Sequence, residues 1–199
     1  DPDFPDGYKP TARLCAHGFR DQHWWAERSS PTARRDSRRL LQHWSVQMGW
    51  PLWCIDAVRA FLQTRELARE VHMIPPLEAC EPAWILWRLL KPVYGLGDAP
   101  KAWCKEVIKT LELHGGQQLL GDQCTYLFFD GQGKLWAWLS LHVDDFLCSC
   151  SRDLWTKLHA LLCDQLRFGD ALEGEFTYAG IEFFSEYDVC GRLTLLREL

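Results

Sequence analysis

The sequence predicts an α+β fold in which helices cover one face of an antiparallel sheet. Short apolar runs are joined by turns too short to hold a helix, at residues 130–133 and 143–145, so the strands around them are predicted to be antiparallel. Helical periodicity occurs between other runs, for example at residues 36–48. The segments alternate between strand and helix without a repeat, which favours an α+β domain.

The N-terminal part is predicted to begin with a short strand at residues 11–19. Residues 36–48 are predicted to be helical because apolar side chains recur every four positions, and Gly49 is suited to end that helix. Residues 50–55 are a short apolar run typical of a strand, which would place Asp56 at its tip.

Two further helices are predicted before the first hairpin. Residues 57–70 have helix-forming composition without glycine or proline. A second helix is predicted from Asp98 as N-cap, with proline in its first turn and apolar residues on one face up to Gly115. This second segment is the clearest helix in the chain.

The C-terminal part is predicted to consist of hairpins and one helix. Its predicted elements, in order, are strands at 125–129, 134–142 and 146–150, a helix capped by Ser151 and ended by Gly169, and strands at 176–184 and 192–196. The pair Asp144 and Asp145 falls at the bend of the second hairpin.

Composition restricts the classes of protein to consider. The 199 residues are 47% hydrophobic and 25% charged, which is typical of a folded, water-soluble domain, and the longest apolar runs are too short to span a bilayer. We expect no membrane association. Nine scattered cysteines, without a Cys-x-x-Cys pair or a signal peptide, predict an intracellular protein, cytoplasmic or nuclear, with neither disulfides nor a zinc site.

The charge of the chain is unevenly distributed. The net charge is −5, yet residues 9–39 contain eight basic and three acidic side chains. Such a segment is either a solvated surface or a contact for phosphates.

Three aspartates could perform metal chemistry. Asp144 and Asp145 lie at a predicted bend, and Asp56 lies at the end of a predicted strand. Carboxylate oxygens are the ligands that Mg²⁺ prefers, and two such ions can activate a hydroxyl and stabilise a leaving pyrophosphate. An acidic pair in a turn is also common as a purely solvated turn, so composition alone leaves both interpretations open.

Several segments resemble, in the same order, a known family. They include residues 12–19 (ARLCAHGF), 55–62 (IDAVRAFL), 93–103 (VYGLGDAPKAW), 141–147 (LHVDDFL) and 178–182 (YAGIE), of which 93–103 is the most specific. They are similar to the reverse transcriptases of copia-type retrotransposons, over about residues 11–184. The resemblance implies polymerase fingers and palm, an RNA-directed DNA polymerase (a nucleotidyltransferase) from a Pol polyprotein.

The resemblance also implies roles for individual residues. Asp56, Asp144 and Asp145 would be catalytic and would bind two Mg²⁺ ions, or Mn²⁺, with the backbone of Ala57 completing one shell. The implied nucleotide-binding residues are Lys9, Arg13, Phe61, Tyr94 and Gly95. Tyr178 and Gly180 would lie at the primer grip.

The implied partners are an RNA or DNA template-primer, deoxynucleoside triphosphates and other regions of a parent polyprotein. We expect residues 1–10 to be a tail or ragged start and residues 11–199 to form the fingers and palm, without a thumb or a ribonuclease H region.

The sequence departs from the family pattern at several positions. His142 replaces a tyrosine, Thr64 a glycine, and Gly97 with Asp98 a Lys-Gln pair, while residues 169–170 stand where a lysine is expected. An alternative is therefore an inactive transposon-derived remnant that retains nucleic-acid binding or interaction, for which eleven tryptophans could provide stacking surfaces.

Overall fold

The computed structural model describes residues 12–21, 30–65, 67 and 69–199. The helices are α1 (Arg35–Met48), α2 (Ala60–Gln63), α3 (Ala99–Leu113) and α4 (Trp155–Cys163). The strands are β1 (Leu52–Asp56), β2 (His72–Met73), β3 (Trp87–Arg88), β4 (Gln117–Leu119), β5 (Asp122–Phe129), β6 (Leu135–His142), β7 (Asp145–Cys150), β8 (Leu172–Glu173), β9 (Glu175–Tyr178), β10 (Ile181–Tyr187) and β11 (Leu193–Glu198). None of the helices in these ranges is both long and apolar enough to cross a membrane.

A six-stranded sheet forms the centre of the molecule, with strand order β4-β5-β6-β7-β1-β8. Every pairing in it is antiparallel, and β9, β10 and β11 form a second, three-stranded antiparallel sheet. The predicted hairpins are confirmed, because tight turns connect β5 to β6 and β6 to β7. Helices combined with antiparallel sheets confirm the α+β class.

Both faces of the central sheet are covered, so the prediction of helices on one face only is wrong. Trp53 and Ile55 of β1 belong to the core that contains Trp103 of α3 and Leu158 of α4. Leu52 and Cys54, which alternate with these residues along β1, face the other side of the sheet. There they pack, together with Trp138 and Leu147, against Leu41 of α1 and the small sheet. Alternation along each strand gives the central sheet two apolar faces, and each requires a cover.

The predicted helix at 36–48 is confirmed as α1, and Gly49 ends it in the left-handed conformation, φ 65°. The strand predicted at 50–55 is confirmed as β1, with Asp56 at its end, whereas the predictions at 11–19 and 57–70 are largely wrong. Residues 12–19 contain an isolated bridge from Cys15 to Tyr94 and a 3₁₀ turn at Gly18–Arg20 rather than a strand. The helix predicted at 57–70 is limited to α2. Thr64 (ψ 160°) leaves the helical conformation at its C-terminus, and its hydroxyl donates to the carbonyl of Phe61 at 2.8 Å.

The predicted helix from Asp98 is confirmed as α3, but Asp98 does not cap it through its side chain. Its carboxylate instead accepts from Nε of Arg69 at 2.7 Å, and the same guanidinium pairs with Asp21. The helix predicted after Ser151 is shorter than expected, since α4 covers Trp155–Cys163. Local sequence did not reveal the distant arginine that competes for Asp98.

The strand predicted at 176–184 is a hairpin. Ala179 (φ 51°) and Gly180 (φ 76°) both adopt the left-handed conformation that a two-residue hairpin turn requires, and they connect β9 to β10. Alanine tolerates this conformation poorly, so the pair does not have the composition typical of such a turn. The turn lies close to the end of β7 and belongs to the site described next.

Candidate catalytic site

Strand register brings the three aspartates to one end of the central sheet. Asp56 of β1 lies directly opposite Asp145 of β7. Asp144 occupies the adjoining turn, and its carbonyl accepts a hydrogen bond from the backbone N–H of Ala57 at 2.9 Å. Directly opposed residues in antiparallel strands have Cβ atoms about 5 Å apart on the same face of the sheet. Asp56 and Asp145 are therefore neighbours although 88 residues separate them in the sequence.

The acidic turn, Val143 and Asp144, is held from the other face of the sheet. Val143 has a φ of 57°, a conformation that costs a β-branched residue energy and that glycine usually provides. The indole N–H of Trp103, on α3, donates to the carbonyl of Val143 at 2.8 Å. Strain of this kind persists where neighbouring contacts fix the backbone. Here α3 and β1 fix it together.

The hairpin turn between β9 and β10 lies against the same carboxylates. The backbone N–H of Ala179 donates to the carboxylate of Asp145. Tyr178 is buried beside it, and its hydroxyl lies 3.2 Å from that of Ser140 on β6. Gly180, with its φ of 76°, completes the turn. The two residues predicted for a primer grip thus flank the group that contacts Asp145.

The carboxylates influence one another electrostatically. Burial raises the pKa of Asp145, and the charge of Asp144 raises it further, while Ala179 and His142 act in the opposite direction. Burial also raises the pKa of Asp56, followed by the charges of Asp144 and Asp145, while Arg13 lowers it. Each effect has the expected sign, because burial and like charges both disfavour an ionised carboxyl group.

A second group of predicted residues lies next to the aspartates. The guanidinium of Arg13 lies 4.6 Å from the ring centre of Tyr94, and that ring is 4.8 Å from the ring of Phe61. The pKa of Tyr94 is raised by burial and then by Asp144, which shows that its hydroxyl is within electrostatic reach of the acidic turn. Arg13, Phe61 and Tyr94 therefore form one wall beside the carboxylates.

Gly95 allows this wall to form. Its φ is 88°, and a Cβ there would lie 2.0 Å from the carbonyl oxygen of Ala16. A Cβ on Gly18 would lie 1.8 Å from the carbonyl oxygen of Gly95. Ala16 donates its backbone N–H to the carbonyl of Tyr94 at 2.7 Å, so the two segments touch backbone to backbone. The remaining nucleotide-site prediction, Lys9, lies outside the described residues.

The side chains do not converge on a single point. Within the part of the chain that the structure describes, no group of three or more His, Cys, Asp or Glu side chains is gathered closely enough to hold one metal ion. The donor chemistry still suits a hard divalent cation, since the cluster consists of carboxylate oxygens with solvent access at Asp56. The predicted ligands are thus adjacent without forming a closed metal cage.

Sequence reasoning missed three contributors to this site. Trp103 anchors the acidic turn, Ala179 contacts Asp145 through its backbone, and His142 lies opposite Asp145 across β6 and β7. The position of His142 could have been obtained from the two-residue turn, which pairs the residues on either side of it. The other two contacts depend on tertiary packing.

The described part of the chain thus has an antiparallel sheet with three aspartates near one end and an aromatic and basic wall beside them. Residues 5–190 match the family described as reverse transcriptase (RNA-dependent DNA polymerase), and the chain belongs to this family. This match confirms the resemblance to copia-type elements found in the sequence.

Two curated relatives agree with this assignment. They are the retrovirus-related Pol polyproteins from transposons RE2 and RE1 of Arabidopsis thaliana, each 33% identical over 141 residues. The alignments cover 68% of this chain and 9% of each polyprotein, so the chain spans a small part of the relatives that it matches. No solved structure matches the chain significantly.

Proposed function

We propose that this chain is the fingers and palm of an RNA-directed DNA polymerase, with Asp56, Asp144 and Asp145 as its catalytic carboxylates. The observation that carries the proposal is the direct pairing of Asp56 with Asp145, with the backbone carbonyl of Asp144 accepting from Ala57, the residue after β1. This arrangement brings Asp56 next to Asp145, from a distant segment, with Asp144 in the adjoining turn. A solvated turn alone would not require Asp56.

The three aspartates would hold two Mg²⁺ ions, which, when bound, lower the pKa of a primer hydroxyl and stabilise the charge on the leaving pyrophosphate. The role of the carboxylates would be to bind these ions and to orient them. Arg13, exposed on the adjacent wall, would contact the triphosphate, and its charge already favours the ionised form of Asp56. The aromatic pair of Phe61 and Tyr94 would support the sugar and base of the incoming nucleotide.

The primer would lie on the opposite side of the aspartates. Tyr178 and Gly180 belong to the hairpin whose Ala179 N–H contacts Asp145, so a primer end held by this hairpin would be placed beside the carboxylates. Positioning of this kind contributes to catalysis because it turns an encounter between two molecules into a reaction within one complex.

A second candidate function is nucleic-acid binding without polymerisation. One observation favours it: Gly169, in the loop where the family pattern expects a lysine nearby, donates its backbone N–H to the carbonyl of Asp56 at 2.9 Å. The loop therefore runs along the catalytic strand with small and acidic residues, and the next residue is Asp170. A cation that assists the leaving pyrophosphate would be missing there.

Primer extension by the purified 199-residue chain tests the proposal. On an RNA template with deoxynucleoside triphosphates and magnesium, we expect extension that stops when the magnesium is chelated. Asp56→Asn should reduce the rate by at least about a hundredfold, because a metal ligand is lost. Asp153→Asn, which alters an exposed aspartate outside the cluster, is the matched control and should keep the parental rate.

The results separate the two candidates. Extension by Asp56→Asn at the parental rate would overturn the assignment of the carboxylates. A parent chain that fails to extend, yet binds nucleic acid with an affinity that falls steeply as salt rises and does not depend on magnesium, would select the second candidate.

A further inference from the structure

The side chain of Arg69 lies between the two segments that build the wall beside the aspartates. Its Nε donates to one carboxylate oxygen of Asp98 at 2.7 Å, and its Nη2 donates to the other at 3.2 Å. Its Nη1 donates to the carboxylate of Asp21 at 3.2 Å, and Nη2 contacts that carboxylate as well. One planar guanidinium thus holds two carboxylates, each through two contacts, which the single ammonium group of a lysine could not do. We call this arrangement of Asp21, Arg69 and Asp98 the Arg69 bridge.

The Arg69 bridge is largely shielded from water. The side chains of Arg69, Asp21 and Asp98 are 16%, 14% and 21% exposed. An ion pair at this depth is screened less by salt and solvent than an exposed pair, so its geometry is better maintained. The segment that carries Arg69 is also attached on its own account, because the carbonyl of Val71 accepts from the N–H of Leu89 at 2.9 Å. The guanidinium is therefore a fixed support for both carboxylates.

The two carboxylates belong to the two segments that touch backbone to backbone. Asp21 ends the turn that begins at Gly18, and its N–H donates to the Gly18 carbonyl at 3.1 Å. Asp98 lies three residues after Gly95, at the start of α3. A Cβ on Gly18 would lie 1.8 Å from the carbonyl oxygen of Gly95, so these segments are in direct contact. Arg69 joins them a second time, through side chains.

We propose that Arg69 is a positioning residue for the nucleotide site, because it fixes the N-terminal segment that carries Arg13. This inference rests on the proposed function, in which Arg13 contacts the triphosphate. The guanidinium of Arg13 lies 4.6 Å from the ring centre of Tyr94, on the contact that the Arg69 bridge holds closed. Arg69 would act through Arg13 rather than touch the nucleotide, since its own guanidinium is occupied by Asp21 and Asp98.

Steady-state primer extension tests this role. Arg69→Gln should raise the KM for the deoxynucleoside triphosphate about tenfold and keep kcat within about twofold of the parent, because a triphosphate contact is weakened while the aspartates stay in place. Arg65→Gln is the matched control. Its guanidinium lies 3.5 Å from Glu106 and is 71% exposed, so both constants should remain parental.

A milder variant covers the case in which Arg69→Gln does not fold. Asp21→Asn weakens the attachment of the N-terminal segment and leaves the pair of Arg69 with Asp98 intact. It should raise the same KM in the same direction. A parental KM in folded Asp21→Asn and in Arg69→Gln would overturn the proposal.

A double variant separates positioning from general stabilisation. Arg13→Gln should also raise the KM, and Arg13→Gln combined with Arg69→Gln should be no worse than Arg13→Gln alone, because Arg69 acts through Arg13. Increases in KM that multiply in the double variant would overturn the proposal. So would a kcat that falls in Arg69→Gln while its KM stays parental.

Hydrogen exchange provides a readout that needs no polymerase activity. The N–H of Ala16 donates to the carbonyl of Tyr94 at 2.7 Å, so its exchange reports whether the two segments stay together. Peptides that contain this amide should exchange about tenfold faster in Arg69→Gln than in the parent or in Arg65→Gln. Unchanged exchange would overturn the proposal. A parent chain that does not extend a primer, with faster exchange at Ala16 in Arg69→Gln, would refute the proposed polymerase and support the Arg69 bridge.

Discussion

At the scale of single residues, the ionised aspartates of the cluster reduce the stability of the folded chain. Asp145 is partly buried beside Asp144, and burial and then the charge of Asp144 raise its pKa. A carboxyl group whose pKa is higher in the folded than in the unfolded chain binds its proton more tightly when folded. Stability therefore falls as pH rises from the unfolded value through the folded value, and the full cost applies above it.

Replacing Asp145 with Asn should relieve this cost at neutral pH. Asn keeps an oxygen that can accept from Ala179 but carries no charge, so we expect the variant to melt at the same temperature as the parent or higher near pH 7. The advantage should shrink as the pH falls through the raised pKa of Asp145, because the parent then becomes protonated. Thermal melts across this range measure the difference.

The control for that experiment is Asp153→Asn, which removes one exposed negative charge far from the cluster. Its melting temperature should remain close to that of the parent throughout. An Asp145→Asn variant that melts several degrees below the parent near pH 7 would show that the carboxylate stabilises the turn, contrary to this account.

At the scale of elements, the wall beside the aspartates depends on two backbone segments in direct contact. Residues 16–18 touch residues 94–95, and both contact points are glycines because a Cβ at either would overlap a carbonyl oxygen. The contact places Arg13 over Tyr94, and Tyr94 against Phe61 of α2. The N-terminal segment, which forms a bridge from Cys15 to Tyr94, is thereby fixed next to the site.

Gly95→Ala should separate these segments. Its Cβ would lie 2.0 Å from a backbone oxygen, so the N-terminal segment must move, and we expect a loss of about 2 to 4 kcal/mol in the free energy of unfolding. Gly121→Ala is the matched control, since Gly121 has a similar φ of 83° but nothing within 4 Å of the added Cβ. It should cost only about 1 kcal/mol, from backbone conformation alone.

Urea denaturation of both variants measures this difference. Equal losses in Gly95→Ala and Gly121→Ala would mean that only the positive φ matters and that the contact between the segments contributes little to stability.

At the scale of the whole molecule, the site lies at one end of the central sheet, where it is contacted from both faces of that sheet. Trp103 holds the acidic turn from the face covered by α3, and the hairpin of β9 and β10 holds Asp145 from the face covered by α1 and the small sheet. A cation bound to the aspartates would relieve repulsion within this folded arrangement and would have no equivalent site in the unfolded chain.

Magnesium should therefore raise the melting temperature of the whole domain. At ten times its dissociation constant an ion that binds only the folded state adds about 1.4 kcal/mol, which corresponds to a shift of about 3 to 5 °C for a chain of this size. Differential scanning fluorimetry at matched ionic strength measures it. Asp144→Asn and Asp56→Asn should abolish the shift, while Asp153→Asn should keep it; a full shift in either of the first two would place the metal elsewhere.

Some features of the structure could be predicted from the sequence and others could not. The long periodic helices, the hairpins around β6 and the predicted site residues followed from local pattern and from family resemblance. The short helix α2 within residues 57–70 could not be predicted in this way, since Thr64 leaves the helical conformation after one turn. The hairpin turn at Ala179 could not be predicted either, because alanine is unusual in the left-handed conformation. Local propensity is weak enough for such contacts to override it.

The sequence by itself determined the α+β class, the family and which carboxylates to examine, because apolar periodicity and short motifs are properties of neighbouring residues. The tertiary structure decided that α1 covers the opposite face of the sheet, that Asp98 pairs with Arg69, and that Asp56 lies directly opposite Asp145. These facts depend on contacts between residues far apart in the chain. Such contacts are selected by the packing of the whole core, which no local pattern encodes.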